Sequence, residues 1–236
     1  MSRALVYGNG KSRLKWDLNQ ELQDNITTWG CNRIYNDVKV DNLVAVDYWI
    51  QHMVYESGYA KTNKCWFLDW QILPVDFDIT PMRLEYYNHQ ENEKNTGGKV
   101  VRGKDQPPLK GLYITWVDEN DMVEDIDFPK EWGSGTTAIH LACQQGAKEI
   151  YLIGFDLSAN PINNVYEEEQ KKFKINDDNR PFRFDWTNEL KTTIKEYPNT
   201  NFIWVDPSET TLDFFNYSSN NLTYDTYENI RRKICR

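Results

Sequence analysis

A turn of small polar residues follows the first apolar run of the chain. Residues 4–7 read Ala-Leu-Val-Tyr, and residues 8–12 read Gly-Asn-Gly-Lys-Ser. Glycine lets the backbone turn tightly and approach an anion, and an anion is favoured where a helix begins. The turn is neither a Walker phosphate loop, whose first glycine would fall at Ala4 or Leu5, nor a G-x-G-x-x-G motif. Taken alone, it fits a structural turn as well as a ligand-binding turn.

Two further polar residues come directly after apolar, strand-like runs. Asn32 follows the run that ends at Cys31, and Asp47 follows residues 43–46. Because the carboxyl ends of parallel strands meet at the edge where ligands bind, Asn9, Asn32 and Asp47 are expected to share one site. Strand-end aspartates also cap the helix that follows, so a structural cap remains the alternative for Asp47.

A third polar stretch opens a helical pattern and precedes another strand. Residues 133–135 read Gly-Ser-Gly, and their backbone N–H groups would lie in the first turn of that helix. The strand at residues 149–154 is followed by Asp156. General acid–base chemistry needs a group whose pKa can be tuned, and Asp47 and Asp156 are the carboxylates so placed. His140 lies on the apolar side of the helix and is interpreted as a core residue.

Short strands and helical patterns alternate along the chain and would position these residues. Strands are predicted at residues 4–7, 27–31, 43–46, 65–68, 112–116, 149–154 and 201–205, and helices at 16–23, 48–55, 136–145 and 186–197. This alternation predicts an α/β, Rossmann-like fold with a largely parallel sheet and helices on both faces. We expect one domain over residues 1–236 with two long loop excursions, 85–110 and 155–184, which are either site lids or solvated insertions.

Composition narrows the class of protein. The net charge of −9 and pI near 4.9 disfavour nucleic-acid backbones and anionic membranes as general partners. No run approaches the roughly 20 apolar residues of a membrane span. The chain has no signal-peptide pattern, and its four cysteines lack C-x-x-C spacing, which is typical of a reduced, cytoplasmic protein without structural zinc.

Two further patterns bear on ligands. Asp76 and Asp78 form a D-x-D pair, with which many nucleotide-sugar transferases hold a divalent cation, although so short a pattern arises easily by chance. A divalent metal is therefore the less favoured alternative. Basic and aromatic residues alternate over residues 171–186. Such a segment can stack bases, clamp phosphates or form a solvated loop.

The order of these motifs resembles the bacterial sialyltransferases of glycosyltransferase family 42 and the wider pterin-pyrophosphokinase-like group with the same nucleotide-binding fold. The matching pieces are residues 8–12, 31–35, 134–135 and 146–156. The combination is also similar to small uncharacterised proteins of tailed phages. The resemblance implies a nucleotide or nucleotide sugar as donor substrate, with no other cofactor. The residues implied to bind it are Gly8, Asn9, Gly10, Ser12, Asn32, Ser134 and Gly135.

The resemblance also implies catalytic residues. The sialyltransferases use a histidine in the segment after the last matching strand as general base, and tyrosines there to assist the leaving phosphate. This segment of the chain has Tyr166 but no histidine. Asp47 and Asp156 are therefore the candidate replacements for the base, with Tyr166 as the assisting residue.

A glycosyltransferase-like enzyme is the resulting expectation. It would transfer a sugar to a glycan or to a modified DNA base and, if phage-encoded, would act in the host cytoplasm. Two alternatives stay open. One is a pyrophosphokinase-like enzyme that uses ATP and magnesium. The other is a non-catalytic phage protein that senses nucleotides or builds the virion. An oligomer is compatible with either class.

Overall fold

A computed structural model describes residues 2–47, 50–51, 53–54, 57–68, 72–73, 89–92, 99–103, 112–115, 132–157, 164–166 and 185–236. The chain divides into two compact units. The first comprises Met1–Val44 with Trp132–Arg236, and the second comprises Ala45–Glu131. The second unit therefore contains the whole of the predicted first excursion.

The elements are named in chain order. The strands are β1 (Arg3–Tyr7), β2 (Ile26–Cys31), β3 (Asn42–Ala45), β4 (Cys65–Leu68), β5 (Ile72–Leu73), β6 (His89–Asn92), β7 (Lys99–Gly103), β8 (Leu112–Thr115), β9 (Glu149–Ile153), β10 (Asn201–Val205) and β11 (Leu222–Asp225). The helices are α1 (Ser134–Gln144), α2 (Asp185–Glu196), α3 (Glu209–Phe215) and α4 (Tyr227–Ile234), with short 3₁₀ turns at Lys11–Lys15, Asn32–Asn36 and Tyr59–Lys61.

The first unit is built on a parallel sheet in the order β11-β10-β9-β1-β2-β3. Its inner strands are apolar along their length, and four consecutive residues are buried in each of β1, β9 and β10. A strand buried on both faces must be covered on both sides of the sheet. The predicted α/β, Rossmann-like class with a largely parallel sheet is confirmed.

Helix α1 packs on β1, β2 and α2 and ends where the sequence predicts. Its buried side includes Ala138, Ile139 and Leu141. Gly146 adopts φ +88°, a left-handed conformation that glycine accepts without steric cost. The Ala147 N–H can then donate to the carbonyl of Ala142 at 3.0 Å, which closes the helix.

The predicted helix at residues 16–23 is wrong. A 3₁₀ turn occupies Lys11–Lys15, and the backbone beyond it is extended or turning. Gln23 donates its N–H to the Ile234 carbonyl at 2.9 Å, and Leu22 forms a bridge with Cys235. The segment therefore pairs with a distant part of the chain rather than with itself.

Elements α3, β11 and α4 complete the first unit and were not among the predicted elements. Hydroxyl caps begin both helices: Ser208 accepts from the Thr211 N–H, and Thr226 accepts from the Asn229 N–H. Such caps pair N–H groups that lack a partner within the helix. The buried residues of α4 are spaced three and four apart, so they form one apolar face of the helix. They are Tyr227, Ile230 and Ile234.

The second unit contains antiparallel pairs. β4 pairs with β8, and a three-stranded sheet has the order β5-β7-β6. β6 and β7 lie within residues 85–110, so part of the predicted loop excursion is sheet. Helical residues at 50–51 and 53–54 agree with the predicted helix over 48–55. Asp76 and Asp78 lie outside the described residues. Among the described helices, none is long and apolar enough to cross a membrane.

Candidate functional site

The turn after β1 is in direct contact with the turn after β9. Gly8 donates its N–H to the Ile153 carbonyl at 2.7 Å, and Gly10 donates to the Gly154 carbonyl at 2.8 Å. A methyl group on Gly8 would lie 2.9 Å from the Gly154 carbonyl carbon and still closer to its oxygen. One on Gly10 would lie 2.6 Å from the Asp156 carboxylate. Packing of the protein against itself therefore already requires both glycines.

The Asp156 carboxylate is bonded to the same turn. Its Oδ2 accepts from the Ser12 N–H at 3.0 Å, and its Oδ1 accepts from the Ser12 hydroxyl. The Asp156 carbonyl accepts from the Thr211 hydroxyl at 2.9 Å, and the Ser12 carbonyl accepts from the Tyr227 hydroxyl at 2.9 Å. The Ser12 N–H, in the turn that the sequence offers either as a structural turn or as a ligand-binding turn, thus already donates to a carboxylate of the protein.

A buried arginine lies beneath the turn. Arg13 is 2% exposed, and its guanidinium donates to the Asn9 side-chain oxygen at 3.0 Å. It also donates to Asp37 Oδ2 at 2.7 Å and to the Tyr166 hydroxyl at 2.9 Å. Sequence reasoning missed this residue, because a polar turn with several cations carries no signal that one of them is buried.

Residues 164–166 contact the turn after β1 through Tyr166 and Val165. Its hydroxyl donates to Asp37 Oδ2 at 2.5 Å, and its ring lies 5.3 Å from the Arg13 guanidinium. The Val165 N–H donates to the Asn9 carbonyl at 2.8 Å. Burial, followed by the hydrogen bond to Asp37, raises the pKa of the Tyr166 hydroxyl above its ordinary value. Through these hydrogen bonds, Tyr166 links the 3₁₀ turn that contains Arg13 to Asp37, which follows the 3₁₀ turn after β2.

Asn32 directly follows the carboxyl end of β2 and combines a left-handed backbone with a buried side-chain oxygen. Its backbone has φ +53°, a left-handed conformation that asparagine tolerates better than most residues. Its side-chain oxygen is buried and has no hydrogen-bond partner among the residues that the structure describes. The neighbouring Cys31 carbonyl accepts from the Asn9 amide at 3.2 Å. An unpaired buried acceptor costs about 1–3 kcal/mol, so a ligand group that donates to it is favoured.

A second carboxylate lies at the beginning of α1. Glu189 is 4% exposed and accepts from the Gly133 N–H at 3.1 Å and from the Thr136 hydroxyl. Ser134 is buried in the same turn. Negative charge at a helix N-terminus is stabilising, and here the protein supplies that charge itself. Sequence reasoning missed Glu189, since a glutamate in a predicted helix ordinarily faces solvent.

The first turn of α1 reaches the ends of two strands. A methyl group on Gly135 would lie 3.3 Å from the Phe155 ring and 3.8 Å from Cys31 Sγ. Phe155 follows β9 and Cys31 ends β2, so this turn lies over the carboxyl edge of the sheet. One edge therefore gathers the predicted Gly8, Asn9, Gly10, Ser12, Asn32, Ser134, Gly135, Asp156 and Tyr166.

Asp47 belongs to the second unit. Its carbonyl accepts from the Gln51 N–H at 3.1 Å, which is the hydrogen bond that opens a helix. Among the residues that the structure describes, no three His, Cys, Asp or Glu side chains are grouped so as to hold a metal ion.

His140 lies in the core, as interpreted from its place in the helix. Its ring makes edge contacts with Trp132 and Tyr197, with ring centroids 5.5 and 5.4 Å apart. Its Nδ1 is 3.9 Å from a Glu196 oxygen. Burial lowers the pKa of His140 to about 4.

This pKa predicts acid sensitivity. Because the unfolded chain takes up the proton near pH 6.5 and the folded protein only near pH 4, stability is lost as pH falls through this window, by about 3 kcal/mol in all. Urea unfolding of the wild type and of His140→Gln at pH 7, 6, 5 and 4 measures the difference. The variant should lack this part of the loss, and equal losses in both proteins would contradict the prediction.

The chain was compared with protein families, curated proteins and solved structures, and none of the three comparisons gives a match. Function is therefore inferred from the groups at the sheet edge. In the described part of the chain they include the unpaired buried oxygen of Asn32 and two carboxylates, Asp156 and Glu189, that accept hydrogen bonds from backbone N–H groups.

Proposed function

We propose that the first unit binds a nucleotide or nucleotide sugar at the carboxyl edge of its sheet, and that the protein is glycosyltransferase-like. The observation that carries the proposal is the buried side-chain oxygen of Asn32, which accepts no hydrogen bond from any residue that the structure describes. An exocyclic amine of a base or a ribose hydroxyl is a donor of suitable chemistry. Parallel sheets of this class bind ligands at this edge.

The order of the motifs supports transfer chemistry. Residues 8–12, 31–35 and 134–135 resemble the nucleotide-binding pieces of the family 42 sialyltransferases, and those residues in the first unit lie at one edge of its sheet. Asp47, Asp156 and Tyr166 stay the predicted catalytic residues. The donor is expected to be a nucleotide sugar, and the acceptor a glycan or a nucleic-acid base.

Substitution of Asn32 tests the site. Asn32→Gly removes the unpaired oxygen and suits φ +53°, so the ligand-free protein should be at least as stable as the wild type. Its affinity for nucleotide should fall at least tenfold, about 1.4 kcal/mol. Asn36→Gly is the matched control, since Asn36 is exposed in the same 3₁₀ turn.

The measurement is a thermal-shift panel of CMP, CDP, UMP, UDP, GDP, ADP and ATP, with and without Mg²⁺ or Mn²⁺. A ligand at 100 times its dissociation constant stabilises the folded state by about 2.7 kcal/mol, which is readily seen. Unchanged affinity in Asn32→Gly would remove Asn32 from the site, and no response to any nucleotide would refute the proposed function. A response to ATP only with magnesium would favour a pyrophosphokinase-like enzyme.

A binding protein without transferase activity is the second candidate. Both Asp156 oxygens and the Tyr166 hydroxyl already bond within the protein, which favours a structural role for each. Hydrolysis of a nucleotide-sugar donor that is abolished by Asp47→Asn would argue against this candidate. Nucleotide binding without any hydrolysis would support it.

A further inference from the structure

Two backbone N–H groups at the sheet edge that could donate to a phosphate already donate to carboxylates of the protein. Asp156 accepts from the Ser12 N–H, and Glu189 accepts from the Gly133 N–H at the beginning of α1. Glu189 is almost fully buried, so solvent screens its charge poorly. A phosphate at either place would have to displace a carboxylate or lie beside a like charge. These backbone groups are therefore weak recognition elements for a phosphate.

An exposed indole lies beside the same turn. Trp186 is in the first turn of α2, and 37% of the residue is exposed to solvent. A methyl group on Gly133 would lie 2.8 Å from Trp186 Cδ1 and closer still to Nε1. The pyrrole edge of the ring thus rests on Gly133, where only glycine leaves room for it.

The position of this indole is fixed relative to the sheet edge. Glu189, on the same helix as Trp186, bonds to Gly133 and Thr136, which holds the beginning of α2 against the beginning of α1. A methyl group on Gly135, in the same turn as Gly133, would lie 3.8 Å from Sγ of Cys31, whose neighbour is Asn32. The turn at the beginning of α1 therefore lies between the indole and the strand end that carries the Asn32 side chain.

We infer that this edge recognises its ligand by the base, which stacks on Trp186 while a donor group of the nucleoside bonds to Asn32. The phosphates add little to affinity. The inference rests on the proposed function and narrows it to a ligand class, a nucleoside or its phosphates. A base offers a flat π-face to the exposed indole, and aromatic stacking of this kind gives substantial affinity without depending on charge.

Substitutions of Trp186 and a series of ligands with and without phosphates test the inference. Titration calorimetry would compare cytidine, uridine and adenosine with their mono- and diphosphates, and with inorganic pyrophosphate. Each nucleoside should bind within about threefold of its monophosphate. Trp186→Leu should weaken binding about tenfold, which corresponds to about 1.4 kcal/mol. Tyr224→Leu is the matched control, an exposed aromatic residue on β11 that is 46% exposed, and should leave affinity unchanged.

Spectroscopy adds a second readout and guards against misfolding. Nucleoside should quench tryptophan fluorescence in the wild type, and Trp186→Leu should lose that quenching. Trp186→Phe retains a stacking ring and should recover most of the affinity. Circular dichroism and the urea midpoint establish that each variant is folded.

The outcomes separate the inference from the proposed function. Nucleotide binding that is indifferent to Trp186→Leu, or that needs the diphosphate for a hundredfold gain, overturns the inference and leaves the nucleotide site standing. Binding of pyrophosphate alone with comparable affinity overturns it as well. No binding of any nucleoside or nucleotide overturns both.

Discussion

Replacing Arg13 with alanine is expected to destabilise the protein by about 3 kcal/mol, the lower end of the range for breaking a buried ion pair. The guanidinium is 2% exposed and donates to Asn9, Asp37 and Tyr166. Its removal takes one donor from each of these three side chains, although Asp37 still accepts from the Tyr166 hydroxyl. Because Asp37 is 34% exposed and can regain water, the loss should not exceed that lower end.

Urea unfolding at pH 7 measures this loss. Lys15→Ala is the matched control, since Lys15 belongs to the same 3₁₀ turn but is exposed and pairs with Asp206 at 3.7 Å. An exposed pair of this kind contributes less than about 1 kcal/mol. Arg13→Lys keeps the charge but loses the fork of donors, and should also be destabilised. A cost for Arg13→Ala equal to that of Lys15→Ala would show that the network contributes nothing.

Replacing Gly8 with alanine is expected to cost about 3 kcal/mol, the upper part of the usual range for overpacking. The added methyl group would meet backbone atoms of Gly154, which cannot rotate away as a side chain can. Relief requires the end of β1 or the turn after β9 to move. That movement would strain the Gly8 hydrogen bond to Ile153.

Gly135→Ala is the control for Gly8→Ala. Its methyl group would approach the Phe155 ring at 3.3 Å, and alanine favours a helix over glycine by about 1 kcal/mol, so the two effects should nearly cancel. Thermal or urea unfolding of both variants gives the comparison. Similar stability in the two variants would mean that the turns after β1 and β9 can move apart at little cost, and that packing does not require Gly8.

The sheet of the first unit could be predicted because its signals are local. Residues 4–7, 149–153 and 201–205 are short apolar runs bounded by polar or turn-forming residues, and each run is a strand. The apolar spacing in α1 and the glycine after it likewise placed that helix correctly. β11 escaped prediction because only Leu222 of its four residues is buried.

What the sequence could not predict depends on residues far apart in the chain. The segment at 16–23 lacks a helix because it pairs with residues 234–235. Arg13 is buried because Asp37 and Tyr166 arrive from other segments. No local pattern signals either arrangement.

The sequence predicts that the residues of the candidate site lie at strand ends and at the beginning of a helix. Strand ends and the beginning of α1 do gather the predicted residues of the first unit. The sequence indicates that Gly8 and Gly10 let the backbone approach a ligand, whereas close packing against Gly154 and Asp156 already requires both glycines. The capping role of Glu189 depends on the docking of α2, which periodicity alone does not give.

The position of β1 in the sheet has a consequence for synthesis on the ribosome. β2 leaves the ribosome soon after β1 and can pair with one of its edges. The other edge of β1 stays unpaired until β9 has been translated. At roughly 5–20 residues per second, the roughly 120 residues between Cys31 and Glu149 take roughly 6–24 s to translate. An apolar strand with an open edge is a template for pairing with other chains. During this interval, nascent chains on one messenger RNA can aggregate through the unpaired edge of β1. A chaperone that covers this edge would reduce that risk.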